Sequence, residues 1–140
     1  MQINDFAKEF NVPKDTIRYY EKENLLKPKR LSNGYRDYDE YCEKQLQFIF
    51  VLKQLGFTIK EIQQLLSLNA KPVSPECNSS TVSLFEQKIM NIDEKIQFYL
   101  QALKALQTVK ELMIAEKFAE NKETIEEMIS VLFKSIRRGI

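Results

Sequence analysis

Lys14, Arg18 and Lys22 recur at four-residue spacing, so a helix that carries them presents three cations on one face. Arg30 and Arg36 flank Asn33-Gly34, a pair of residues suited to a tight hairpin turn, which would place two guanidinium groups on one hairpin. Tyr19, Tyr20 and Tyr35 lie among them, and a phenol can donate to a phosphate while its ring packs below. Residues 14–36 hold seven Lys/Arg against three acids, whereas residues 72–140 hold nine basic and ten acidic side chains. The formal net charge of +1 therefore conceals a local cationic window. A solvated helix face is the commoner source of such an excess. Here a helix and a hairpin concentrate it together, which points to a phosphate-bearing partner.

Bond-making chemistry has little to work with. The chain has no His, two Cys, no nucleophile–base pair and no Gly-rich phosphate loop, so neither an enzyme nor a cofactor is expected. No apolar run reaches the roughly 18–20 residues of a membrane span, and Met1-Gln2-Ile3-Asn4-Asp5 does not read as a signal peptide. Two cysteines make no disulfide framework, which fits a cytoplasmic protein.

The elements that must position these residues are mainly helical, since Gly (3) and Pro (4) are scarce. A first helix reads from an Asn4 cap to about Phe10, with Phe6 and Phe10 on its apolar stripe. After Asn11-Val12, Pro13 opens a second helix that runs to about Asn24 and buries Ile17 with Tyr20 or Tyr19. Lys27 to Tyr38 reads as a short β-hairpin turning at Asn33-Gly34, with both turn positions able to take positive φ. Asp39 caps a third helix, about 40–55, with Tyr41, Leu46, Ile49, Phe50 and Leu52 inward and Gly56 at its end. Thr58 and Glu61 form a capping box for a fourth helix burying Ile59, Ile62, Leu65 and Leu66. Residues 1–68 thus read as a winged helix-turn-helix domain. The second helix would enter the major groove of DNA, and the basic hairpin would lie against the adjacent backbone.

Residues 69–80 are expected to be a linker, with two prolines and many small polar side chains. From there Val82, Phe85, Ile89, Ile92, Ile96, Tyr99, Leu103 and Leu106 follow an unbroken alternation of three and four, giving a coiled-coil helix over 81–113. Its about 45 Å of seam, at 1.5 Å per residue, is too long for the rest of the chain to cover. A second copy of the chain is the economical partner. Residues 114–140 read as a break at Ala115–Asn121 and a closing amphipathic helix, with Ile125, Ile129, Leu132 and Ile136 on one face and Met128 and Phe133 beside it.

Four segments make the reading specific: Thr16-Ile17-Arg18-Tyr19-Tyr20-Glu21, Leu25-Leu26-Lys27-Pro28, Asn33-Gly34-Tyr35-Arg36-Asp37-Tyr38 and Leu55-Gly56-Phe57-Thr58-Ile59-Lys60-Glu61-Ile62. In order and spacing they resemble the successive signatures of the MerR family of transcription regulators, over about residues 1–68. The resemblance implies a homodimer held by antiparallel helices and bound to double-stranded promoter DNA whose spacer is too long for RNA polymerase. Bending and untwisting that DNA would bring the promoter elements into phase. Carried over, Arg18 and Tyr20 would grip backbone or base edges, with Tyr19 and Lys22 beside them. Lys14 and Thr16 would face the groove, and Arg30, Asn33, Gly34, Tyr35 and Arg36 would form the wing. An architectural DNA-binding protein without an effector is the alternative. A coiled-coil adaptor that has lost DNA binding is a further one.

The effector is less defined. Metal-sensing members of the family have a Cys near the start of the dimer helix, as Cys77 is here, and further Cys beyond its far end. This chain has no Cys after Cys77, and a thiolate site needs at least two soft ligands, so no metal is expected. Stress sensors of the family carry a Cys near Phe48–Gln54, which is absent here, and Cys42 reads as a small buried side chain. Cys77 is more simply a linker thiol than a redox sensor. The remaining candidate is an apolar pocket for a small hydrophobic molecule around Met128 and Phe133, where simple core closure by the last helix is the plainer reading.

Overall fold

Residues 1–68 and 74–138 are described in a computed structural model of the chain. They divide into two compact units, Met1–Ser83 and Leu84–Ile140. In order the elements are α1 (Ile3–Glu9), α2 (Lys14–Lys22), β1 (Lys29–Arg30), β2 (Arg36–Asp37), α3 (Glu40–Gln54), α4 (Ile59–Ser67) and α5 (Pro75–Ile114). A 3₁₀ turn (Ala119–Asn121) and α6 (Lys122–Arg138) complete the described chain.

Helix ends are set by a repeated local device. Asn11, Asn24, Gly56 and Glu116 take φ of +52°, +61°, +93° and +58°, and each follows the last turn of a helix. The next residue then donates back across that turn: Val12 N to Ala7 O at 2.9 Å, Leu25 N to Tyr20 O at 2.8 Å, Phe57 N to Leu52 O at 2.9 Å and Lys117 N to Leu112 O at 2.8 Å. These are Schellman closures, which satisfy orphan carbonyls and reverse the chain. In the first unit the donors Val12, Leu25 and Phe57 are all buried, so each reversal also drives an apolar side chain into the core. At Gly56 a Cβ would meet nothing within 4 Å, so only backbone conformation resists a side chain there. Gly56→Ala is accordingly expected to lower stability by about 1–2 kcal/mol, measured by thermal unfolding, with no change in binding-site geometry.

Of the three side-chain caps expected at Asn4, Asp39 and Thr58, two form. The Asp39 carboxylate accepts from Cys42 N at 3.1 Å, and this bond holds its acid below the ordinary value of 3.8. Glu61 N donates to Thr58 Oγ1 at 3.2 Å while Thr58 N donates to Glu61 Oε1 at 2.8 Å, completing the capping box. Helix α1 departs from expectation. It begins at Ile3 behind Gln2, which makes no side-chain cap, and Asn4 lies inside the helix.

The first unit packs α1–α4 around Phe6, Ile17, Leu25, Leu26, Leu46, Ile49 and Ile62, all buried. Tyr38, 2 % exposed, stacks on Phe6 at 5.0 Å and anchors the second leg of the hairpin. On α3 the inward face is Cys42, Gln45, Leu46, Ile49 and Leu52. The expected Tyr41 and Phe50 are instead exposed, and Cys42 rather than Tyr41 takes the inward place at the capped start of α3. Ile62 and Leu65 are buried on α4, as expected, while Ile59 and Leu66 are intermediate.

The hairpin pairs Arg30 with Arg36 and Lys29 with Asp37 in antiparallel register. Gly34 N donates to Leu31 O at 2.9 Å and Leu31 N to Tyr35 O at 2.7 Å. This is a β-turn over Leu31–Gly34 followed by a left-handed Gly34 (φ +87°), a three-residue loop with a bulge. It corrects the expected two-residue turn. Asn33 keeps negative φ because its Oδ1 accepts from Tyr35 N at 3.1 Å, locking the turn from the side-chain side.

The first turns of α5 fall where a linker was expected. The helix starts at Pro75 rather than near Ser80, and Pro75 is tolerated there because a first-turn N–H has no helical acceptor. Cys77 N donates to Ser74 Oγ at 3.0 Å, adding to that start. Residues 69–73 of the expected linker lie outside the described residues.

In the second unit α5 runs to Ile114, and α6 folds back along it, with Ser135 Oγ 3.3 Å from Gln101 Oε1. Ile125 is buried, and Met128, Leu132 and Ser135 are half-buried against α5. Ile129 and Ile136, expected on the same face as Ile125, are exposed together with Phe133. The apolar arc of α6 is wider than one contact with α5 can cover. Along the expected seam of α5, Val82, Phe85, Ile89, Ile96, Tyr99, Leu103 and Leu106 are exposed and Ile92 is half-buried.

Candidate nucleic-acid interface

Helix α2 begins immediately after Pro13 and ends at the Asn24 reversal, so its two ends are fixed and its face is set by Ile17 and Tyr20 pointing inward. That leaves Lys14, Arg18 and Lys22 on the outer side with Tyr19, which is exposed. Tyr20 keeps only 8 % of its surface exposed and sits edge-on to Phe50 at 6.5 Å. Burial pushes its phenol above the ordinary range, so it stays protonated and a donor at neutral pH.

The hairpin returns alongside α2 and closes a cleft of about 660 Å³, lined by Arg18, Glu21, Lys22, Gly34, Tyr35, Arg36, Tyr38 and the first residues Gln2 and Ile3. Four of the expected contact side chains, Arg18, Lys22, Tyr35 and Arg36, thus meet in one concavity. Lys14, Arg30 and Asn33 do not line it. Thr16 and Tyr19 line a neighbouring shallow depression with Asp15, Tyr20, Lys53 and Ile59. A concavity with guanidinium, ammonium and phenol groups on its walls has the chemistry of a phosphate cradle.

Glu21 is the member that spacing did not mark. Arg36 Nε donates to Glu21 Oε1 at 2.5 Å, tying the hairpin to α2, and this bond raises the guanidinium's pKa further above its ordinary value. Nε is the only Arg36 nitrogen in this bond, so its two terminal NH₂ groups remain for an anion. Arg18 has a looser partner, Asp15 Oδ1 at 3.6 Å, with both side chains mostly exposed. Lys29 Nζ lies 3.6 Å from Asp39 Oδ2 at the foot of the wing.

The cysteines occupy different settings. Cys42 is fully buried, and desolvation pushes its thiol up to about 11. Cys77 is half-buried in the first turn of α5. Among the described residues no group of three or more His, Cys, Asp or Glu could hold a metal ion. A thiol-disulfide reagent at pH 7.5 is expected to titrate one thiol per chain quickly, and Cys77→Ser to remove that phase. Two fast thiols would mean that Cys42 opens to solvent.

Of the expected effector residues, Met128 lines a groove of about 320 Å³ between α5 and α6, with Gln101, Lys104, Ala105, Thr108, Val131 and Leu132 among its walls. Phe133 is outside that groove and exposed, and Cys77 belongs to the first unit. Within the second unit, Met128 and Phe133 therefore do not share the groove.

The profile described as "MerR HTH family regulatory protein" matches residues 1–69, and "MerR, DNA binding" matches residues 43–109. The transcriptional regulator ZntR of Escherichia coli K12 is 31 % identical over 111 residues, 79 % of this chain and 78 % of that protein. The mercuric resistance operon regulatory protein of Bacillus cereus is 32 % identical over 126 residues, 89 % of this chain and 90 % of that protein. The fold is shared with HiNmlR, described as a MerR family regulator lacking the sensor domain and bound to promoter DNA. That match has a TM-score of 0.66 and 21 % identity, and covers 89 % of this chain and 94 % of the other. Among the described residues no helix is long and apolar enough to cross a membrane.

Proposed function

Because the chain belongs to the MerR family of DNA-binding transcription regulators, we propose that two copies grip a promoter with an overlong spacer and bend and untwist it. In this reading α2 enters the major groove, with Lys14 and Thr16 toward the bases and Arg18, Tyr19, Tyr20 and Lys22 along the backbone. The wing residues Arg30, Asn33, Gly34, Tyr35 and Arg36 hold the flanking phosphates. The observation that carries it is the convergence of Arg18, Lys22, Tyr35 and Arg36 on one cleft between α2 and the wing. The exposed seam on α5 supplies the means of pairing two such clefts, as a dyad operator requires. Such a protein works in the cytoplasm, where the promoter and RNA polymerase are.

The effector is proposed to be a small hydrophobic molecule seated between α5 and α6, where Ala105, Met128, Val131 and Leu132 offer an apolar wall. Two relatives are named for heavy metals. This chain, with two Cys and no His, has Cys42 buried as a protonated thiol and Cys77 without a second soft ligand. In vitro transcription tests the mechanism with paired templates that differ only in spacer length. Stimulation confined to the overlong spacer is the expected result. Equal output from both templates, with DNA still bound, would leave an architectural DNA-bending protein instead.

A further inference from the structure

The segment between α2 and the wing is held by two glutamine side chains from other helices. On α4, Gln63 Nε2 donates to Glu23 O at 2.8 Å and lies 3.2 Å from Glu23 Oε2. On α3, Gln45 Oε1 accepts from Lys27 N at 3.1 Å. Gln45 is 8 % exposed and shares the inner face of α3 with Cys42, Leu46 and Ile49, a place where apolar side chains are the rule.

What Gln45 holds is the last free hinge before the wing. Leu25 and Leu26 are buried, and both of their N–H groups bond back to Tyr20 O, so they move with α2. Pro28 has no N–H, and β1 begins at Lys29. Between the end of α2 and the start of β1, Lys27 N–H is thus the main-chain donor held by a side chain of α3. The second leg has its own anchors in Tyr38 and the Arg36–Glu21 pair. Arg30 lies three residues beyond Lys27, about 10 Å at roughly 3.3 Å per residue. A tilt of about 20° at Lys27 would shift it by about 3 Å, enough to lose a hydrogen bond to a phosphate.

We propose that Gln45 is a positioning residue for DNA reading: its amide oxygen, holding the Lys27 N–H, sets the angle between the reading helix and the first leg of the wing. This rests on the DNA-binding function proposed above. Gln63 fixes the other end of the same segment, at Glu23.

The test uses the full-length protein and a duplex enriched by the wild type from a random-sequence pool. Gln45→Met keeps the length and apolar stem of the side chain but removes the acceptor. It is expected to weaken binding to that duplex about tenfold. Hydroxyl-radical footprinting should show protection lost at the outer, wing-facing backbone and kept where α2 lies. Gln63→Met, which frees the α2 end, should weaken both sets of protections. An affinity for Gln45→Met within twofold of wild type would overturn the proposal. So would a footprint that fades evenly, since Gln45 would then serve domain stability alone. If the wild type itself enriches no duplex, the DNA-reading premise fails and the proposal goes with it. That outcome is distinct from either failure at Gln45.

Discussion

Ile96→Lys is expected to leave the chain monomeric at micromolar concentration and to abolish specific duplex binding. Ile96 is exposed in the single chain, so the substitution takes nothing from the chain's own core, and α5 should keep its helicity. In a paired seam each copy would instead place an ammonium among Ile89, Ile92, Tyr99 and Leu103 of two helices. An uncompensated buried charge costs about 3–5 kcal/mol, and the dimer would contain two of them. The sum, about 6–10 kcal/mol, exceeds a 10⁴-fold change in dimer affinity at roughly 1.4 kcal/mol per tenfold. Sedimentation should report a mass near 16.5 kDa in place of twice that value. Circular dichroism should remain close to wild type. A variant that still sediments as a dimer would place the interface elsewhere, and the exposed stripe on α5 would need another occupant.

The second large effect is expected at Arg18. Arg18→Ala should reduce duplex affinity about 10²-fold or more at physiological salt, from two charge-assisted bonds of roughly 1.5–3 kcal/mol, one per protomer. It should also make the plot of log K against log salt shallower by about 1.8, the equivalent of two phosphate contacts. The fold should not suffer, because the Arg18–Asp15 pair is solvent-exposed and such pairs contribute about 1 kcal/mol at most. Arg18→Lys separates charge from shape. It should recover the salt slope while falling short of wild-type affinity, since an ammonium cannot make a bidentate contact. An unchanged slope in Arg18→Ala would remove Arg18 from the phosphate-binding surface and leave Lys22, Tyr35 and Arg36 to account for the cleft.

These two predictions draw on features of different origin. The α5 seam was visible as an unbroken alternation of apolar residues, because a long helix presents its sequence period directly as a surface. The cations of α2 were visible for the same reason. The cleft was not, since Arg36 is brought to Glu21, fifteen positions away in sequence, by the return of the hairpin. Opposite charge alone could not single out that pair among the many acids and bases of the chain. Gln45 left a fainter signal: a polar side chain standing at an inward position of an otherwise apolar helix face. Its partner, a backbone N–H near the foot of the wing, has no sequence signature at all.

Where a structural rule is satisfied within four or five residues, the amino acids alone decided the outcome. The Asp39 and Thr58 caps, the Gly56 reversal, the cationic spacing on α2 and the period of α5 are of this kind. Tertiary packing decided the rest: Tyr20 turned inward and Tyr19 outward, Cys42 rather than Tyr41 on the buried side of α3, and Ile129 and Phe133 left exposed on α6. Local hydrogen bonds close over one turn of chain, so their partners are neighbours in sequence. A buried face is chosen by elements distant in sequence competing for the same core, and that competition is settled only once they meet.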